Sequence, residues 1–257
     1  MSKENRHLIF DLSIGKTKPE SIVNKETSCP FCDVENLEGI FEKRGSIIYL
    51  QNKYPTLYNT DQRLIIESDI CDSDLSQYPK GHATELITFG IEKWLELKRR
   101  GDFASVLFYK NHGPLSGGTI AHPHMQIVGL KEVRYEENIR QDMFEGLLIH
   151  KIEEVEFNLS THPKMGFIEF NILSGNKHSF GEMTEYIQRA IDFILNHFPF
   201  NCRSYNLFFY ETDESIIAKV IPRFVASPLY IGYTIPQVPH ELEPMIEMIK
   251  TVFPELK

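Results

Sequence analysis

The sequence contains no run of about 18 apolar residues, the length that a membrane-spanning helix requires. We therefore expect no transmembrane segment and no membrane partner. The first seven residues, Met-Ser-Lys-Glu-Asn-Arg-His, are polar and precede only a short apolar run. Because a signal peptide needs a longer apolar stretch, we expect none and place the chain in the cytoplasm.

The chain also lacks an excess of positive charge. Its formal net charge is -9, whereas nucleic acids and anionic membrane surfaces favour proteins with a basic face. This balance argues against a nucleic-acid partner. It still permits a phosphorylated ligand, since backbone amides and a few local cations are enough to hold one.

Cysteine is scarce, with four residues in a chain of 257. In the cytoplasm these thiols stay reduced, so metal ligation or burial is a better explanation for them than disulfides. A hydrophobic content of 42% and an aromatic content of 12% fit an ordered globular protein with a sizeable core.

Apolar periodicity predicts a succession of strands and helices. The predicted helices are Pro79–Arg100, Arg134–Leu148, Glu182–Phe198 and Glu241–Phe253. The predicted strands are Ser46–Leu50, Arg63–Glu67, Phe103–Tyr109, Met125–Leu130, Glu154–Leu159, Gly166–Leu173, Tyr205–Tyr210 and Ile216–Val225. Strand pairs joined by short loops and interleaved with helices predict an α+β fold around a mainly antiparallel sheet.

The second half of the sequence resembles the first, which predicts two tandem halves, 1–130 and 131–257. A strand, a loop and a second strand ending in Ala121–Gln126 are paralleled by a similar unit ending in Val220–Val225. If Pro123 and Pro222 correspond, Ile221 and Arg223 occupy the places of His122 and His124. The second half would then be a degenerate copy. Two ordinary strand–loop–strand units are the alternative, and we favour duplication.

The segment Asn111–Gln126 carries the strongest chemical signal. It joins a glycine-rich turn, which can present backbone N–H groups to an anion, to a strand carrying His122, His124 and Gln126. Residues two apart on a strand share a face, so these three side chains are expected to point into one site. The combination favours chemistry at a phosphorus atom over an edge strand with exposed histidines.

Within this segment His124 is the best candidate for a nucleophile. A neutral imidazole with one nitrogen held as an N–H donor offers the lone pair of the other nitrogen to phosphorus. The Gln126 amide can hydrogen-bond the non-bridging oxygens of the intermediate. Gly117, Gly118 and Thr119 can bind phosphate oxygens through backbone N–H groups and a hydroxyl.

Cys29-Pro-Phe-Cys32 can bring two thiolates to one metal ion, although Cys-x-x-Cys also serves redox chemistry or occurs by chance. Two further ligands would be needed, and spacing does not select them. The candidates are Cys71, His82, His112 and His122. Cys202 lies among strand residues and is expected in the core. Arg223 has two readings of equal weight, a salt-bridged strand residue or a phosphate clamp.

These residues resemble galactose-1-phosphate uridylyltransferase, a branch of the histidine triad (HIT) superfamily. The likeness is densest in the Asn…Gly…Gly…Thr…His-Pro-His-x-Gln order of Asn111–Gln126. It extends more weakly to the Cys-Pro-Phe-Cys element, to Tyr49–Tyr54, to the helix after Cys71 and to Tyr230–Tyr233.

The resemblance implies a HIT-like fold, a homodimer and a zinc ion bound by Cys29, Cys32 and His122. The family's fourth ligand, usually a histidine, falls near Cys71, and thiolate is an equally good zinc ligand. By the same resemblance, His124 is the nucleophile that attacks the nucleotide α-phosphorus, and Gln126 stabilises the nucleotidylated histidine. Asn111 and Thr119 contact phosphoryl oxygens. Asn52 contacts the nucleoside.

The chain also departs from that family. Ile221-Pro-Arg223 cannot supply the histidines of its second metal site, Lys53 stands where it has an acidic residue, and Pro228 where it has a lysine. The expected activity is therefore that of a nucleotidylyltransferase with a nucleotide sugar or dinucleoside compound as donor. The alternatives are a hydrolase or phosphorylase using the same intermediate, and a non-catalytic nucleotide-binding module.

Overall fold

The computed structural model describes residues 7–22, 29–175, 180–213 and 215–257. The described helices are α1 (Leu12–Thr17), α2 (Lys80–Arg99), α3 (Gly181–Asp192), α4 (Pro228–Tyr233) and α5 (Glu243–Val252). The described strands are β1 (Ile40–Arg44), β2 (Ile47–Gln51), β3 (Thr60–Ile66), β4 (Ser105–His112), β5 (His124–Leu130), β6 (Gly146–Ile152), β7 (Val155–Ser160), β8 (Phe170–Ser174), β9 (Tyr205–Glu211) and β10 (Ile216–Pro222). Residues 1–6, on which the expectation about a signal peptide rests, lie outside this description.

The chain divides into two compact units. The first comprises Met1–Asp74, Leu86–Lys110 and Gly117–Ile139, and the second comprises Leu75–Glu85, Asn111–Ser116 and Arg140–Lys257. In the first unit the strands are ordered β1-β2-β3-β5-β4, and in the second unit β6-β7-β8-β10-β9. Within each unit these strands pair with one another in antiparallel fashion. The predicted α+β fold with a mainly antiparallel sheet is confirmed.

The two strand orders are the same, and so is the succession along the chain of three strands, a helix and two strands. This common topology agrees with two tandem repeats, and their predicted bounds, 1–130 and 131–257, stay a prediction. The proline correspondence inferred from the sequence is wrong, however. Pro123 comes immediately before β5, whereas Pro222 is the last residue of β10. The counterpart of His124, the first residue of β5, is therefore Ile216 rather than Arg223, and β10 contains no histidine.

The predicted helix Arg134–Leu148 is wrong. Two short 3-10 turns, Tyr135–Asn138 and Gln141–Phe144, are followed there by strand β6. Strand β6 pairs with β7 through a tight turn in which Glu153 has a φ of 49°. Backbone pairing with a neighbouring strand outweighs a weak helical pattern. Each hydrogen bond between the strands satisfies a backbone N–H and a C=O group that a single helical turn would leave without partners.

The sheet of the first unit has two differently covered faces, and this arrangement sets up the site. On one face the Trp94 indole of α2 donates to the Val106 carbonyl at 2.8 Å, and its ring lies against Phe108. The other face carries a separate apolar cluster, made of Phe31, Ile48, Leu50, Leu64, Ile66 and Ile120. Within the described parts of the chain, no helix is both long and apolar enough to cross a membrane.

Candidate active site

Four side chains of the first unit form a cluster that can hold a metal ion. The ligand atoms of Cys29, Cys32, Cys71 and His122 all lie within 4.8 Å of one another. His122 Nδ1 is 3.5 Å from Cys29 Sγ and 3.6 Å from Cys32 Sγ. Of the four further candidates from the sequence, the structure brings Cys71 and His122 into this group. Across the described residues, His82 and His112 belong to no such group.

The His122 ring is held in the orientation that a metal ligand needs. Its Nε2 donates to the Ser68 carbonyl at 2.9 Å, which leaves the Nδ1 lone pair directed at the two thiols. Burial lowers the pKa of His122, so its neutral, ligating form is favoured. Burial and the neighbouring thiols raise the pKa of Cys71 to about 12. Three thiolates this close together would repel one another. A cation bound by the three sulfurs and the imidazole nitrogen would relieve that repulsion.

His124 opens β5 on the face that carries the apolar cluster. Its Nδ1 donates to the His122 carbonyl at 2.8 Å, which fixes the tautomer and leaves Nε2 with the lone pair. Burial lowers the pKa of His124 to about 4, so the ring is neutral near pH 7. The Phe31 ring presents an edge contact to each of the two imidazoles, at centroid distances of 5.9 Å for His122 and 5.3 Å for His124. The geometry is that of an available neutral nucleophile.

Gln126 lies two residues further along β5 and lines the same pocket as His124. Its Oε1 accepts a hydrogen bond from the Tyr109 hydroxyl at 3.2 Å. This contact orients the amide so that its N–H₂ group is the part offered to a ligand. Burial raises the pKa of Tyr109 to about 12, which keeps the hydroxyl in its donating form.

The pocket in front of His124 has a volume of about 340 Å³. Apolar side chains of the cluster form one wall, and Asn52 and Lys18 contribute polar groups. Asn52 is buried, and its Oδ1 accepts from the Tyr54 amide at 2.9 Å, so the side chain is fixed with its N–H₂ group remaining. An apolar wall with a few polar groups is typical of a site for an organic phosphate.

Lys18 was not identified from the sequence. It follows α1, lines the pocket with His124, and is half-buried, and burial lowers its pKa. No described acidic side chain forms an ion pair with it. The only sequence signal was a lysine followed by a proline, which is too common to single out a binding residue.

The glycine-rich turn divides into two parts with different backbone partners. In the second unit, Leu115 N donates to Ser204 Oγ at 3.0 Å and Ser116 N donates to the Gly113 carbonyl. These amides are therefore occupied. In the first unit, Gly117 has a φ of +85° and open space at its Cβ position. Thr119 Oγ1 is buried and has no hydrogen-bond partner among the described residues, so it is a candidate contact for a ligand oxygen.

Two residues of the expected phosphate site, Asn111 and Arg223, belong to the second unit. Asn111 Oδ1 accepts from Asn206 Nδ2 at 2.7 Å. Arg223 Nη1 lies 3.1 Å from Met165 Sδ, and its buried Nε has no described partner. Their proposed contacts with phosphate remain predictions.

Comparison with known proteins assigns the chain to a family. Residues 10–133 match the N-terminal domain of the domain of unknown function DUF4931, and residues 136–253 match its C-terminal domain. A crystal structure of a DUF4931 family protein from Bacillus cereus ATCC 10987 is 47% identical, with a TM-score of 0.76, covering 83% of this chain and 99% of that one. The chain belongs to the DUF4931 family. None of the curated proteins matches its sequence.

Solved structures of other proteins are similar in fold to this chain at low identity. A uridylyltransferase is 15% identical with a TM-score of 0.71, covering 90% of this chain and 92% of that one. An ADP-glucose phosphorylase from Arabidopsis thaliana with bound ADP-glucose is 14% identical with a TM-score of 0.70, covering 96% and 95%. The resemblance to the uridylyltransferase branch of the HIT superfamily is thereby confirmed at the level of the fold.

Proposed function

We propose that this DUF4931 protein is a nucleotidylyltransferase that works by two displacements through a nucleotidyl-histidine intermediate at His124. The observation that carries the proposal is the state of His124. Its Nδ1–H is tied to the His122 carbonyl, its ring is neutral, and it lines a pocket large enough for a nucleotide. An imidazole held in this way can attack without a separate base.

In the first displacement, His124 Nε2 attacks the α-phosphorus of the donor. The Nε2–P bond forms, and the bond from phosphorus to the bridging oxygen breaks, so the remainder of the donor leaves as a phosphate ester. In the second, an acceptor phosphate oxygen attacks the same phosphorus and Nε2 departs with its electron pair. The Nδ1 proton stays on the ring throughout, hydrogen-bonded to the His122 carbonyl.

The neighbouring polar groups are suited to the charge on this phosphorus. The Gln126 amide N–H₂, fixed by Tyr109, can donate to a non-bridging oxygen, and the Lys18 ammonium adds a positive charge to the same pocket. Gly117, Gly118 and the Thr119 hydroxyl, which has no partner among the described residues, supply the anion contacts in the proposal. Asn52 is assigned to the nucleoside.

We further propose that Cys29, Cys32, Cys71 and His122 hold Zn²⁺, for which three thiolates and one imidazole are a preferred tetrahedral set. When bound there, zinc supplies a structural cross-link. The residues themselves do the positioning, because the same His122 that offers Nδ1 to the cluster holds His124 through its carbonyl oxygen.

The donor class in this proposal is a nucleotide sugar or a dinucleoside compound, and the acceptor is a phosphate group. A sugar phosphate acceptor makes the enzyme a transferase, and inorganic phosphate makes it a phosphorylase. Hydrolysis is less favoured, because a glutamine at position 126 cannot protonate a leaving group as a third histidine would.

The test is incubation of the purified protein with a panel of nucleotide sugars and dinucleoside polyphosphates, each labelled in the α-phosphate. Acid-labile, base-stable label on the protein is expected with at least one donor. A protein that binds a nucleotide tightly but is never labelled would instead be a nucleotide-binding module. His240→Gly, at an exposed histidine of the second unit, is the matched control and should label as the wild type does.

A further inference from the structure

A fully buried ion pair lies behind the proposed nucleophile. Lys110 Nζ donates to Glu67 Oε1, and neither side chain has any exposed surface. Both residues belong to the first unit, and the chemistry described above uses neither of them.

The strand register places this pair on the reverse side of β5 from His124. Ile66 is the register partner of His124, so Glu67, the next residue, points to the opposite face. Lys110 is the register partner of Met125, which also points away from the His124 face. Glu67 therefore reaches from the β3 side and Lys110 from the β4 side. They meet across the back of the first residues of β5.

The start of β5 is bonded to the residues on either side of Glu67. Pro123 has no N–H to contribute to a ladder, and the Glu67 amide donates to the Pro123 carbonyl at 3.2 Å. The adjacent Ser68 carbonyl accepts from His122 Nε2. Ser68, Glu67 and Ile66 thus contact His122, Pro123 and His124, respectively.

Burying a charged pair costs more free energy than burying apolar side chains of the same volume. Removing two ions from water carries a large desolvation cost, and a well-packed apolar pair of similar volume is often as stable. Stability alone therefore explains this buried ion pair poorly. A need to hold neighbouring strands in a specific alignment explains it better.

We propose that Glu67 and Lys110 are positioning residues that clamp the start of β5 between β3 and β4, so that His124 keeps its Nδ1–H tautomer and its Nε2 faces the pocket. This inference rests on the proposed function in one respect only, the role of His124 as nucleophile. The orientation of the ring can be measured without any substrate.

The experiment compares the zinc-loaded wild type with Glu67→Leu/Lys110→Met by ¹⁵N NMR of histidine-labelled protein, with the His124 signal assigned through His124→Gln. The wild type should show His124 as a single Nδ1–H tautomer. The apolar variant should keep its zinc and melting temperature but show His124 averaged between two tautomers. Its rate of labelling by a nucleotide donor should fall at least tenfold at unchanged nucleotide affinity.

The chain offers a matched control in the second unit, where Lys219 and Glu169 form another fully buried pair at 2.8 Å. Glu169→Leu/Lys219→Met should leave the His124 signal as in the wild type. Glu67→Asp, which keeps the charge but shortens the side chain, should give an intermediate signal.

Three results would overturn the proposal. The apolar variant could retain the wild-type signal, the control variant could change the signal equally, or the apolar variant could fail to fold, which would make the pair a stability element. If the wild type is never labelled, the proposed function fails, while the tautomer comparison still decides this inference.

Discussion

Replacing Lys18 by methionine should weaken the binding of nucleoside diphosphates and leave the binding of uncharged nucleosides almost unchanged. Lys18 lines the pocket with His124, is half-buried, and forms no ion pair with a described carboxylate. Methionine keeps most of the apolar stem and removes only the charge. The substitution therefore separates electrostatic attraction from packing.

The size of the effect follows from Coulomb's law. At an effective dielectric constant of about 20 and a separation of about 6 Å, one pair of unit charges interacts with about 3 kcal/mol. Screening by salt and the residual water in an open pocket reduce this to about 1.5–2.5 kcal/mol. The dissociation constant for a nucleoside diphosphate should therefore rise about 10- to 70-fold.

Isothermal titration calorimetry of the wild type and variant with a nucleoside diphosphate and the parent nucleoside measures both quantities. Lys53→Met is the matched control. Lys53 lines the same pocket, but its side chain is 67% exposed and lies 3.6 Å from Glu38, so its charge is already screened. Equal losses in the two variants, or an equal loss for the nucleoside, would refute the assignment of Lys18 to the phosphates.

Metal analysis and further substitutions test the remaining parts of the site. Purified, unchelated protein should contain one zinc per chain by metal analysis. Cys29→Ala should lose this zinc and lower Tm by about 10 °C, the shift that a loss of about 3–4 kcal/mol gives at this length; a variant without zinc but with the wild-type Tm would contradict the structural role. Gln126→Ala should still be labelled but should turn over about 100-fold more slowly, because one hydrogen-bond donor to the developing charge is gone. Tyr109→Phe should slow turnover by a smaller factor. An unchanged turnover of Gln126→Ala would remove the amide from the mechanism. Gly117→Val should weaken phosphate binding about tenfold in titrations, because a β-branched residue at a φ of +85° is strained by about 1–2 kcal/mol. Gly101→Val, at a φ of +72° with open space at its Cβ position, is the control and should bind phosphate as the wild type does. Equal effects of the two substitutions would count against the turn as the anion site.

The fold was largely predictable where the apolar pattern was long and regular. The predicted helix Pro79–Arg100 agrees with α2 to within one residue at each end, and most strands lie within a few residues of their predicted positions. Strands β1 and β6 were missed because their inward and outward residues do not differ enough. In β1, half-buried residues alternate with exposed ones. Such strands are defined by their partners rather than by their own pattern.

The metal cluster was predictable only in part. Cys29 and Cys32 are close in sequence, whereas Cys71 follows β3 and His122 precedes β5. The antiparallel pairing of β3 with β5 brings the ends of these two strands together, and no local spacing encodes that pairing. Lys18 could not be predicted either, because only the folded chain places it beside His124 in the pocket. The tautomer of His124 depends on one backbone carbonyl, a contact that only the folded chain provides.

The central claim is that the nucleotidyl group is carried by His124, and locating the label tests it most directly. Wild type, His124→Gly and His122→Gly should be treated with the donor identified from the panel, and the labelled residue mapped by mass spectrometry. We expect one nucleotidyl group on His124 of the wild type, and none on His124→Gly, which should keep its fold and zinc. His122→Gly should lose label, zinc and stability together. Label on any other residue, or full activity of His124→Gly, would contradict the account.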